Sequence, residues 1–122
     1  MAIGGKHQAE DIYVRGVALE AIADPGNGGA IDVTRSGFVE VVTGGAETRT
    51  LAAPTFVGQQ LILSMKTDGG DGVITVSAAF NASGNTTITL NDAGDCIELR
   101  GVAGSASALK WSQVWTNGPS LS

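Results

Sequence analysis

Leu61-Ile62-Leu63-Ser64-Met65-Lys66-Thr67-Asp68-Gly69-Gly70-Asp71-Gly72-Val73-Ile74-Thr75-Val76 is the stretch that decides the fold class. Successive side chains of a strand point to opposite faces, so Leu61, Leu63 and Met65 share one face. Residues 68–72 hold only Asp and Gly, which form tight turns readily. Val73-Ile74-Thr75-Val76 then resumes an extended, β-branched run. Two strands flanking a turn predict an antiparallel hairpin.

The same rhythm extends in both directions. Ile31 and Val33 alternate with Asp32 and Thr34. Phe38 to Thr43 is a second extended run, closed by Gly44-Gly45. Glu47, Arg49 and Leu51 lie on one side of the next run, with Thr48 and Thr50 on the other; Pro54 blocks further central pairing. Downstream, Thr86 to Leu90 alternates Thr with aliphatics, Asn91 to Asp95 turns the chain, and Cys96 to Arg100 returns. Gly101 to Ser107 is a loop, and Leu109, Trp111 and Trp115 share one face of a last strand. The pattern predicts an all-β fold, a compact antiparallel β-sandwich or β-barrel of about eight short strands. No helical period is visible after residue 30, and no long internal repeat is evident.

Residues 1–29 differ. Ile12 and Val14 alternate like a strand, Leu19, Ile22 and Ala23 suit a helical turn, and Asp24-Pro25-Gly26-Asn27-Gly28-Gly29 breaks the chain. The expected organisation is an N-terminal arm over 1–29 and a β-domain over 30–122. At 122 residues, 43% of them hydrophobic, the chain favours one domain with one core, and a second independent core would be hard to build. The 18 glycines lose much backbone freedom on folding, which leaves a thin margin for a lone subunit and predicts an oligomer.

Charge and chemistry narrow the function. The net charge is −5 and the 7 basic residues are scattered, so no nucleic-acid footprint forms. No apolar run is long enough for a membrane-spanning helix, and the N-terminus lacks a signal-peptide core. His7 is the lone histidine, in the arm, with no triad around it. Cys96, the lone cysteine, reads as a small buried hydrophobe. Asp68 and Asp71, and Asp92 and Asp95, place paired carboxylates in tight loops. Turn chemistry explains them without a metal, and a cation is the alternative. Trp111 and Trp115 read as core or subunit-interface aromatics rather than a stacking platform. No cofactor motif and no catalytic motif is present, so an enzyme is not expected.

Glu47-Thr48-Arg49-Thr50-Leu51-Ala52-Ala53-Pro54, Gly58-Gln59-Gln60-Leu61, Asp68-Gly69-Gly70-Asp71 and Ile74-Thr75-Val76 together resemble small structural proteins of tailed bacteriophages, marine ones especially. Ile88-Thr89-Leu90, Asp92-Ala93-Gly94-Asp95, Ile97-Glu98-Leu99 and Lys110-Trp111 continue the resemblance, which spans roughly residues 38–118. It implies a capsid decoration, or head-stabilising, protein: a β-domain, often trimeric, on the exterior of the virion, assembled in the host cytoplasm and bound to the major capsid protein. By that analogy the arm residues Ile12, Tyr13, Val14, Arg15, Val17 and Leu19 would make the capsid contact. The alternatives are a phage fibre or tail-tip β-domain and a carbohydrate-binding β-sandwich.

Overall fold

The computed structural model describes residues 18–122. They form ten strands: β1 (Ala21–Ile22), β2 (Gly29–Ala30), β3 (Gly37–Val42), β4 (Glu47–Leu51), β5 (Gln60–Thr67), β6 (Gly72–Val76), β7 (Thr87–Leu90), β8 (Cys96–Ala103), β9 (Leu109–Asn117) and β10 (Ser120–Leu121). The one helical turn among the described residues is Ser105–Ser107. The protein is all-β, a sandwich of two five-stranded sheets and not a closed barrel. The first sheet runs β1-β3-β5-β8-β9 and the second β10-β7-β6-β4-β2.

Strand direction departs from the antiparallel expectation. From β1 to β6 the chain changes sheet at every connection, so each strand lies parallel to the strand two before it. Three coils result, β1–β2, β3–β4 and β5–β6, laid one on the next. Only from β6 onward does the chain reverse on itself, in the hairpins β6–β7 and β8–β9. The hairpin expected across residues 68–72 is therefore not formed: β5 belongs to the first sheet and β6 to the second. Alternation reports which face a side chain takes, and it is identical in parallel and antiparallel strands. The coils have unequal connections, which is why no sequence repeat marks them.

The boundary expected at residue 29 also moves. Residues 21–30 supply the edge strands of both sheets and pair with β3 and β4. Residues 18–29 thus belong to the described β-body, and residues 1–17 of the expected arm lie outside the described residues.

The inner faces stack in rows across the strands. Ile22, Val39, Leu63 and Ile97 form one row of the first sheet, and Leu61 and Leu99 belong to another. Opposite them, Ile74 pairs with Ile88 and Leu51 with Val76. All are buried. Each such aliphatic contributes on the order of 1.5–3 kcal/mol by leaving water.

Polar side chains stitch one coil to the next at the corners. Gln59, fully buried, accepts from the Thr55 N–H (2.7 Å) and donates from Nε2 to the carbonyls of Val33 (2.8 Å) and Arg35 (3.1 Å). It thereby joins the β4–β5 connection to the β2–β3 connection beneath it. On the opposite side, the buried Thr43 hydroxyl accepts from Gly69 N–H (3.0 Å) and donates to the Gly70 carbonyl (2.6 Å). Here the backbones touch. A Cβ on Gly69 would lie 2.3 Å from the Thr43 carbonyl oxygen, and one on Gly70 would lie 2.4 Å from Gly45 C. The Asp-Gly turn thus serves coil-on-coil contact rather than chain reversal.

Gly69→Ala should accordingly lower stability by about 1–3 kcal/mol through overpacking against backbone. Chemical denaturation followed by far-UV circular dichroism measures this; a wild-type midpoint would contradict the stacked-corner geometry.

Candidate interaction surface

Arg49 carries the most unusual charge in the chain. Its position on β4 turns it inward, in register between Gly29 and Ile74, and it is 1% exposed. Nε donates to Asp24 Oδ1 at 2.7 Å, and Nη2 donates to Asp24 Oδ2 at 2.9 Å and to the Val42 carbonyl at 3.1 Å. Glu47 Oε1 lies 3.0 Å from Nη2. Asp24 in turn accepts from the N–H groups of Val42 and Gly26. Burial works against the Asp24 carboxylate, but Arg49 and these two N–H groups outweigh it and hold it below the usual carboxylate range. The Gly44 N–H on Glu47 Oε2 (2.7 Å), aided by Arg49, lowers Glu47 against a partial burial penalty. This cluster ties the first coil, whose strands are only two residues long, to the second. Its chemistry is structural: guanidinium and carboxylates pair within the fold, and Arg49 Nη1 alone is left buried without a hydrogen-bond partner.

The aspartate loops are engaged likewise. Asp68 Oδ1 accepts from Gly70 N–H at 3.0 Å. Asp95 is buried, and its Oδ2 accepts from the N–H groups of Asn91 (2.8 Å) and Asp92 (3.0 Å). Turn formation accounts for both, and no cluster of three metal-ligating side chains occurs among the described residues. Cys96 differs from expectation. It faces outward at the start of β8, partly exposed, because the alternation gives the inward place to Ile97. Burial, then the nearby Glu98 charge, push its thiol upward, so reactive thiolate is scarce at neutral pH.

The two tryptophans part company. Trp111 is 1% exposed and donates its indole N–H to the Ala52 carbonyl at 2.8 Å. Trp115 is 50% exposed, as is Val114. The expectation that both rings share a face fails because β9 is bulged. Gln113 pairs with Leu99 and Trp115 with Glu98, so Val114 is an extra residue with no partner on β8. The added residue reverses the alternation and turns Trp115 out. Two adjacent apolar residues, Val114 and Trp115, were the only mark of this break in the sequence.

Trp115 completes a row across the outer face of the first sheet: Ala21, Phe38, Ile62, Glu98, Trp115. Phe38 and Ile62 are part-exposed. Arg100 and Ser112 stand in the adjacent row with Gln60. Glu98 stands between the half-exposed Trp115 ring and the part-exposed Ile62 and Phe38, so the row mixes apolar and charged side chains. No pocket forms among the described residues. Of the arm residues named above, Leu19 lies part-buried ahead of β1. Ile12, Tyr13, Val14, Arg15 and Val17 lie outside the described residues. No protein-family model matches the chain, and no curated protein matches it.

Two outcomes follow from the Arg49 cluster. Asp24→Asn removes the closest counter-charge of a buried guanidinium and should destabilise by about 3 kcal/mol, read as a lower urea midpoint. Because Asp24 and Glu47 are held low in the folded state, the unfolded chain takes up protons first as the solution is acidified. Stability is thus fully present near neutral pH and falls as pH drops below about 4, through the folded-state values. Unfolding free energy measured against pH should show this acid limb, and Asp24→Asn should shrink it.

Proposed function

We propose that the protein is a non-enzymatic structural component of a tailed-phage virion, which binds the outside of the capsid and stabilises contacts between major capsid protein subunits. The observation that carries this reading is the placement of Val114 and Trp115: a bulge in an edge strand turns a large ring outward from an otherwise well-packed β-body. That arrangement suits association rather than turnover. The resemblance of residues 38–118 to tailed-phage structural proteins supplies the identity of the partner.

The mechanism is mechanical. In this reading the corner hydrogen bonds of Gln59 and Thr43 hold one coil to the next under load. Residues Ile12, Tyr13, Val14, Arg15, Val17 and Leu19 provide apolar and charged side chains for contact with the shell. An oligomer presents several arms at once, and each later contact forms at high effective concentration. Many modest contacts over a shell then oppose the outward pressure of packaged DNA. The partners in this reading are the major capsid protein and further copies of the chain, with no cofactor, nucleic acid or membrane required.

A carbohydrate-binding role is the second reading, favoured by the exposed ring of Trp115. It separates cleanly from the first by fluorescence. Trp111 is enclosed, so a sugar that binds this surface changes the emission of Trp115 alone.

Capsids purified without the protein provide the direct test. Full-length chain should saturate them. A variant lacking residues 1–17 should fail to bind while keeping its β circular dichroism. Trp115→Ala should weaken binding about 30-fold or more, the usual effect of truncating an aromatic anchor. Full occupancy by both variants would contradict the proposal.

A further inference from the structure

Four residues of the chain carry a side-chain carbonyl carbon directly before a glycine: Asn27-Gly28, Asp68-Gly69, Asp71-Gly72 and Asn117-Gly118. In such a pair the glycine nitrogen can close on the side-chain Cγ to give a five-membered succinimide. Glycine permits this because it has no Cβ to obstruct the approach and its backbone turns freely. Ring closure also needs the glycine N–H out of any hydrogen bond and a side chain able to swing toward it.

The fold restrains three of the four pairs. Gly28 N–H donates to the Thr48 carbonyl at 2.7 Å, and Asn27 Oδ1 accepts from Thr48 N–H at 3.0 Å. Both reacting groups of that pair are thus bound to β4. Gly69 N–H donates to the Thr43 hydroxyl at 3.0 Å. Gly72 is buried within β6, with β4 on one side and β7 on the other. The fourth pair is different. Asn117 ends β9, Gly118 follows it in the crossing to β10, and both are exposed. Gly118 N–H donates to no backbone carbonyl among the described residues. Gly118 has φ +102°, and a Cβ there would run into Asp95 Oδ1. The packing of Asp95 therefore demands glycine at this place, and the unobstructed nitrogen comes with it.

We propose that Asn117 is a site of spontaneous covalent modification, a deamidation driven by the Gly118 nitrogen. That nitrogen gives up its proton and bonds to Asn117 Cγ, the Cγ–Nδ2 bond breaks, and the side-chain nitrogen leaves as ammonia. Water then opens either carbonyl–nitrogen bond of the ring, leaving aspartate or isoaspartate at position 117. No oxidant or reductant takes part. The product has two effects on this fold. Asn117 lies in register with Cys96, Ser64 and Glu40 on the outer face of the first sheet. A new carboxylate there makes the face that bears Trp115 more acidic as the protein ages. Isoaspartate also adds a methylene to the main chain where β9 hands over to β10, a strand of only two residues. The inference stands on the Asn-Gly pairs alone and does not rest on the proposed function.

Peptide mapping by mass spectrometry, on the full chain aged in mildly alkaline buffer, tests it. In the folded protein the Asn117 peptide should convert about 10-fold or more faster than the Asn27 peptide, because the latter must first give up its hydrogen bonds to Thr48. In urea-unfolded chain the two rates should converge, since the fold sets the difference. Asn117→Gln, whose longer side chain would have to close a six-membered ring, should abolish conversion at that position. Equal rates at Asn27 and Asn117 in the folded protein would overturn the inference. So would an Asn117 that stays intact when folded over the time in which the unfolded chain reacts.

Discussion

Crossing from one sheet to the other at every connection between β1 and β6 is the constraint on which the structure depends. A strand in such an arrangement cannot pair with its neighbour in sequence. It must wait for the next coil, so every coil relies on one formed by distant residues. The parallel registers of β3 with β5 and of β4 with β6 supply the backbone bonds. Those bonds alone do not hold the corners, where the chain leaves one sheet for the other. Gln59, Thr43 and Arg49 do so, each buried and each bonded to backbone or carboxylate of an adjacent coil.

Arg49 shows what this arrangement demands. Aliphatic side chains hold the same row in β6 and β7, at Ile74 and Ile88, yet the row meets the first coil at a guanidinium. The first coil has two-residue strands and little apolar surface of its own. A paired, multiply bonded charge fixes the loop around Asp24 in one position, where an aliphatic contact would fix it loosely. Geometric definition is gained at the expense of desolvation.

Much of this was legible in the residues, and the limits have physical causes. Strand positions and inward faces follow from alternation, and the inward side of Glu47, Arg49 and Leu51 was readable directly. Strand direction was not, since Leu61, Leu63 and Met65 alternate alike whichever way the partner runs. The Asp68–Gly72 stretch reads locally as a reversal, because nothing local reveals that Gly44-Gly45 will lie against it. Asp24 reads as part of a breaker, since its partner is Arg49, far along the chain. The bulge at Val114 left only a pair of adjacent apolar residues. Several of the stretches on which the proposed phage assignment rests centre on Arg49, Gln59, Gly69-Gly70, Asp95 and Trp111, which hold corners, turns and core together. They speak to architecture, whereas the proposed contact residues lie largely beside them.

The picture is of a two-sheet body with two unlike outer faces: one of uncharged rows, the other bearing Trp115 among charges. In the proposed reading, a protein built this way acts through where it is held. Image reconstruction of the virion at a resolution that resolves strands is therefore the most direct measurement. The account predicts many symmetry-related copies of this sandwich on the exterior of the shell, seated over junctions between major capsid protein subunits. A shell without them, or a few copies confined to the tail, would contradict it.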